Sequence, residues 1–301
     1  MDFRIKLGIS AAIITAVILS SILYSAGPSS TTNGLDSEPS NILRIGYFPN
    51  LNHAQALIGL ETGSFQRAIG ENIKINSKIF SAGPSLIEAL FANQIDVAYI
   101  GPNPTINGYY VSDGNGLKVI SGAASGGAVF VVRNDSGINS HKDLGNRVFA
   151  SPQLGNTQDV ALRKYLIYNG FKTKENGGNV TIVQASPSDI LTLFLKKQID
   201  GAWVPEPWGA RLVKEAGGKI LVDERSLWPD GKFVTANIIA RTDYLKNNPN
   251  IIRKFLTANV DETIWINKNK NMGIELFNEA LKNITGKTIR PDELADAWSR
   301  I

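Results

Sequence analysis

The chain has 301 residues, 43% hydrophobic and 19% charged, with 31 Lys and Arg against 27 Asp and Glu for a net charge of +4. That balance is globular, too apolar for a disordered chain and without the clustered cations of a nucleic-acid binder. Cysteine is absent and histidine occurs only at His53 and His141, which excludes disulfides, thiolate catalysis, Cys zinc and Fe–S sites and a lipidated Cys anchor, and argues against a multi-His metal site or a His-based triad.

In chain order, Arg4 and Lys6 precede an uncharged run over residues 7–24 rich in Ile, Ala, Val and Leu. A positive flank before an apolar run predicts an export signal, so residues 1–26 read as a signal peptide or signal anchor. Residues 27–40 are mostly Ser, Thr, Gly, Pro and Asn without periodicity, the pattern of a flexible linker. The folded body then begins near Asn41 and faces the outside of the cell, held at the membrane by the first segment if it is uncleaved.

The body alternates short apolar runs with helical spacing. Strands are predicted at 42–48, 75–80, 97–100, 117–124, 129–133, 147–151, 180–185, 202–204, 219–222 and 236–240. Helices are predicted at 53–70, 84–93, 105–110, 156–169, 188–197, 206–216, 249–267, 272–283 and from 291 onward. Regular alternation predicts mostly parallel sheets covered by helices, and the length predicts two such α/β lobes. The helical tail after Arg241 is expected to pack on the first lobe. The last helix starts at Pro291 and the chain stops at Ile301, which predicts a further C-terminal piece.

The chemistry-bearing residues lie in strand-to-helix turns, where ligands of open α/β sheets bind. These turns are FPNLNH at 48–53, SAGPS at 81–85, GPNPT at 101–105, SGAASGG at 121–127 and SPQLGNT at 151–157. Each supplies hydroxyls, amides or small residues, and those opening helices add free N–H groups at the positive dipole end, a combination that binds anions without a metal. Ordinary capping explains any one of them; five in one chain point to a shared cleft. WVPEPW at 203–208 admits two readings. Either Trp203 and Glu206 wall the cleft, indoles and carboxylate together suiting a cation or amine, or the indoles pack in the core and Glu206 caps the next helix.

Catalytic signatures are missing: the sequence holds no GxGxxG, GxSxG or HExxH. GKT at 286–288 imitates the end of a P-loop, but Leu281 stands where that motif needs Gly. His53 is expected to cap or line its loop, and Asp223 with Glu224 to form a solvated turn.

Taken together, IGYFP at 45–49, FSAGPS at 80–85, IGPNP at 100–104, PQLGNTQDVA at 152–161 and WVPEPW at 203–208 resemble the nitrate/sulfonate/taurine class of ABC-transporter substrate-binding proteins. That class is similar to the pyrimidine-precursor binders of thiamine synthesis, and the resemblance runs from Asn41 to the end. It implies a type II periplasmic-binding-protein fold, two α/β lobes on a two-segment hinge, with lobe 1 at 41–127 plus 233–301 and lobe 2 at 128–232. It implies a monomer that hands a small anionic or zwitterionic ligand (aliphatic sulfonate, taurine or nitrate) to an ABC permease, without cofactor, metal or nucleic acid. The alternative ligand is an aminopyrimidine of the thiamine-precursor type. The anionic head would meet Pro49, Asn50, Ser81, Gly83, Pro102, Asn103, Ser125, Gly126, Gly155, Asn156 and Thr157, with His53, Trp203 and Glu206 completing the site. The Cys-rich catalytic motif of the pyrimidine-forming relatives has no counterpart here, so no enzymatic activity is expected.

Overall fold

The computed structural model describes residues 41–301, so the expected signal segment 1–26 and the linker 27–40 lie outside the described residues. Among the described residues no helix is long and apolar enough to cross a membrane.

The chain opens with β1 (Ile42–Tyr47), whose side chains Leu43, Ile45 and Tyr47 alternate onto one face as a strand requires and enter the larger core. The helix predicted over 53–70 is two, α1 (Ala54–Glu61) and α2 (Ser64–Ile69), because Gly63 between them takes φ +69. Then follow β2 (Lys74–Ile79), α3 (Gly83–Phe91), β3 (Val97–Ile100), α4 (Pro102–Val111) and β4 (Leu117–Ser125). Helix α4 starts earlier than its hydrophobic spacing predicts, since Pro102 is suited to the first helical position. The chain crosses at Gly126 and Gly127 into β5 (Ala128–Arg133), β6 (Val148–Ser151), α5 (Thr157–Tyr168), β7 (Thr181–Gln184), α6 (Pro187–Leu195), β8 (Gly201–Pro205), α7 (Trp208–Ala216) and β9 (Gly218–Asp223). It returns through residues 224–233 to β10 (Val234–Arg241), α8 (Thr242–Asn247), α9 (Pro249–Lys268), α10 (Lys270–Thr285) and α11 (Pro291–Trp298). The short α8 has no counterpart in the sequence reading. It ends at Asn248, which precedes Pro249 and is held out of the helical region (φ −129, ψ 47).

Two five-stranded sheets result, ordered β2-β1-β3-β10-β4 and β7-β6-β8-β5-β9. As expected of mostly parallel sheets, four strands of each run the same way, and one strand in each is reversed. β10 runs antiparallel to β3 and β4, and β5 antiparallel to β8 and β9. Each of these strands enters its sheet directly from the other one, so it arrives without the crossover helix that a parallel neighbour needs. Helices α1, α2, α9 and α10 cover one face of the first sheet around Phe65, Phe255 and Phe277, all fully buried, while α3 covers the other around Leu86 and Leu90. The tail after Arg241 does join the first sheet's core, through Tyr244, Phe255, Phe277 and Leu294. Burying each such side chain stabilises the fold by about 1.5–3 kcal/mol.

Candidate functional site

Between the two sheets, the turns after β1, β3 and β8 and the starts of α3 and α5 converge with β10 on one cleft. Phe48, Asn50, Asn52, His53, Gly83, Gly101, Pro104, Asn156, Thr157, Gln158, Pro205 and Thr235 line it. The space between these walls is about 20 Å³, room for about one water molecule.

Among the described residues the lining contains no Lys, Arg, Asp or Glu. Its polarity comes from amides, hydroxyls, one imidazole and helix starts. At α5, Asn156 caps the helix by accepting the Asp159 N–H at 2.8 Å, which leaves the first-turn N–H groups of Thr157 and Gln158 without intrahelical acceptors. At α4, Pro102 and Pro104 have no N–H, and the Thr105 N–H already donates to the Gly101 carbonyl at 3.3 Å, so Asn103 is the one remaining first-turn donor. Thr157 Oγ1, Asn50 Oδ1 and Asn52 Oδ1 are buried without partners among the described residues. The Asn52 amide is oriented, since its Nδ2 donates to the Gly126 carbonyl at 2.9 Å. Burial alone lowers the His53 pKa to about 3, so the ring is neutral. Its Nδ1 accepts the Phe48 N–H at 2.9 Å, which puts the ring proton on Nε2.

The walls come within contact at Gly101. A Cβ built there would fall 2.1 Å from Thr157 Oγ1, so only glycine lets the α5 start approach the β3–α4 turn this closely.

Of the sequence-predicted residues, Asn50, His53, Gly83, Asn156 and Thr157 line the cleft. Asn103 and Gly155 instead line an outer groove of about 620 Å³ beside it, with Ile106, Tyr110, Leu154 and Val160. Ser125 lines a separate cavity with Gln55 and Trp298. Pro49, Ser81, Pro102 and Gly126 sit in the surrounding turns without lining the cleft; the Gly126 carbonyl instead accepts from Asn52 and Thr235.

Three expectations are corrected. Trp203 is fully buried in the second sheet's core, stacked on Phe130 with centroids 5.3 Å apart, and its indole N–H donates to Glu224 at 2.7 Å. Large aromatics on a central strand are drawn into the core by the area they bury. Glu206 is also fully buried, but its carboxylate accepts the Ala210 N–H at 3.0 Å, capping α7, and pairs with Arg300 at 2.5 Å. Burial raises its pKa despite Arg300. The Asp223–Glu224 turn is likewise not solvated: Glu224 is 4% exposed, and burial pushes its carboxyl up to about 7.

Sequence reasoning left Phe48, Asn52, Gly101, Pro104, Gln158, Pro205 and Thr235 out of the candidate set. All but Thr235 lie within or beside the quoted turns; Thr235 comes from β10, whose approach to the cleft no local pattern announces.

With this geometry in hand, comparison with known proteins is decisive for the family: the model of the NMT1-like family matches residues 36–274. The chain belongs to the NMT1-like family. A Bacillus subtilis (strain 168) protein named as a binder of aliphatic sulfonates is 25% identical over 276 residues, covering 91% of this chain and 79% of that protein. The taurine-binding periplasmic protein of Escherichia coli (strain K12) is 22% identical over 201 residues, covering 64% of this chain and 60% of its own. Among solved structures, the alkanesulfonate-binding protein SsuA of Xanthomonas axonopodis pv. citri bound to MOPS superposes with a TM-score of 0.72 at 18% identity, over 88% of this chain and 85% of that one. This NMT1-like chain thus has the two-lobe type II fold of the periplasmic binding proteins.

Proposed function

We propose that this NMT1-like chain is an extracytoplasmic, monomeric solute-binding protein that delivers a small anion of the sulfonate, taurine or nitrate class to an ABC importer, and that it catalyses no reaction. The observation that carries the proposal is an uncharged cleft between two lobes, with the start of α3 and the turn after β3 on one wall and the start of α5 on the other. Such a cleft holds an oxyanion through N–H and hydroxyl donors, which avoids the desolvation of a buried Lys or Arg. The family match and the names of the relatives support the same reading.

Within that class the lining favours a ligand without an ammonium group. No carboxylate lines the cleft, because Glu206 is turned to Arg300 and α7. A buried ammonium without a counter-charge is strongly disfavoured. The unpartnered Asn50 and Asn52 oxygens instead suit a neutral N–H or O–H donor on the ligand. That same observation supports a second reading, a neutral aminopyrimidine.

Calorimetry of the full-length chain with ethanesulfonate, isethionate, taurine, nitrate and an aminopyrimidine tests both. The expected order is isethionate over ethanesulfonate over taurine. Binding of the aminopyrimidine alone would move the assignment to the second reading, and a silent panel would overturn both.

A further inference from the structure

The C-terminal turn makes contacts that anion binding by the cleft does not explain. Helix α11 belongs to the first lobe: Leu294, Ala297 and Trp298 lie in the core with Phe277, and the Trp298 and Phe277 rings meet edge to face at 6.0 Å. The helix also packs against α7 of the second lobe, with Ala210 in the same core cluster, and the residues that follow it reach the second lobe's Glu206 and both crossings. Arg300 Nε donates to Glu206 at 2.5 Å; the Arg300 side chain is 8% exposed and the Glu206 side chain 0%. The Arg300 carbonyl accepts the N–H of Gly127, in the first crossing, at 2.7 Å. The Ser299 carbonyl accepts from Arg225, at the start of the second crossing, at 3.1 Å.

Asp296 holds the guanidinium in place through bonds of 3.1 and 2.7 Å. Glu206 in turn reaches two ways. Its carboxylate caps α7 at Ala210, and its backbone carbonyl accepts the N–H of Leu51 at 2.9 Å. Leu51 sits in the turn that carries Asn50, Asn52 and His53 to the cleft. The first crossing is shaped to this arrangement. Gly126 has φ +81, and a Cβ on it would stand 2.4 Å from the Arg300 carbonyl.

We infer that Arg300 and Glu206 form an interlobe strap, a pair of positioning residues that holds the Asn50–His53 turn in place and limits how far the lobes open. This deepens the binding-protein reading and rests on it for its consequence on affinity. The physical ground is that a buried guanidinium and carboxylate in direct contact resist separation, because either one left alone remains buried without a counter-charge. Rotation of the lobes about two crossings alone would meet no such resistance. With the strap, opening has to stretch this pair or carry the C-terminal turn along.

The test measures lobe separation without any ligand. The chain has no native cysteine, so Ser77→Cys on β2 and Gln184→Cys on β7 place spin labels on the strands farthest from the crossings in the two sheets. Double electron–electron resonance on the full-length chain is expected to give one narrow distance distribution. Arg300→Met is expected to raise the longer-distance population about tenfold, and Glu206→Gln to do the same, with the double substitution adding no more. If Arg300→Met alone fails to fold, the double variant, which leaves no unpaired buried charge, carries the same measurement. Distributions unchanged in a variant that folds would overturn the strap. Because no ligand enters the measurement, failure of the anion panel leaves this result readable. Where a ligand is in hand, the strap variants are expected to speed its dissociation about tenfold with association unchanged; equal effects on both rates would count against a role in holding the closed form.

Discussion

Phe48 and His53 bind each other twice: the Phe48 backbone N–H donates to His53 Nδ1 at 2.9 Å, and the two rings stack with centroids 4.6 Å apart. The pairing fixes the tautomer, so the ring proton of this cleft-lining imidazole sits on Nε2 as a donor. Because burial holds its pKa near 3, that donor does not titrate in the neutral range.

Ligand affinity is therefore expected to be flat from about pH 5 to 8, as far as His53 is concerned. Stability behaves differently. A folded-state pKa below the ordinary value means that the unfolded chain takes up the proton first. The His53 contribution is fully present above about pH 6.5 and is lost as pH falls toward 3, by roughly 4 kcal/mol. Denaturant titrations of the native chain and His53→Gln across pH 3–8 check this. A stability difference between them that does not change with pH would contradict it.

Glu224 carries the opposite sign. Its carboxyl is raised to about 7, chiefly by burial, while the Trp203 indole offsets part of that cost. A raised folded pKa contributes stability below about pH 4.5, and that contribution is lost as pH rises through 7, by roughly 3 kcal/mol at most. Glu224→Gln keeps an acceptor for the indole and removes the charge. The variant is expected to gain on the native chain in thermal unfolding at pH 8 and to lose that gain at pH 4.

Gly101→Ala tests the closed cleft. Its Cβ would stand 2.1 Å from Thr157 Oγ1 and 3.1 Å from Thr157 Cβ, so the lobes could not close as they do here. Ligand affinity is expected to fall more than about tenfold while the melting temperature stays near that of the native chain. Adding Thr157→Ala relieves the shorter contact and should restore part of the affinity, a coupling that a double-mutant cycle reads directly.

Thr157→Ala alone removes an unpartnered hydroxyl from the cleft wall. The expected loss is about 0.5–1.5 kcal/mol for a neutral hydrogen bond, more if the ligand oxygen is charged. Calorimetry with the best ligand of the panel measures it, and an unchanged dissociation constant would take this side chain out of the site.

What the sequence by itself determined is local. Strand and helix positions follow from hydrophobic spacing, and the helix starts at Gly83 and Thr157 could be read as anion sites because Gly, Pro, Ser and Asn there act on the backbone a few residues away. Even the composition argument held locally, since the lack of Cys needs no fold to interpret. Tertiary structure decided which side each side chain faces. WVPEPW looks the same whether its indole and carboxylate wall a cleft or turn from it. Phe130 and Glu224 draw Trp203 into the core, and Arg300, 94 residues further along, draws Glu206 away from the cleft. The antiparallel insertion of β10 and β5 and the arrival of Thr235 at the cleft depend on where the chain crosses between lobes. Such choices turn on contacts between distant segments, whose energies outweigh local preference and leave no periodic trace in the residues themselves.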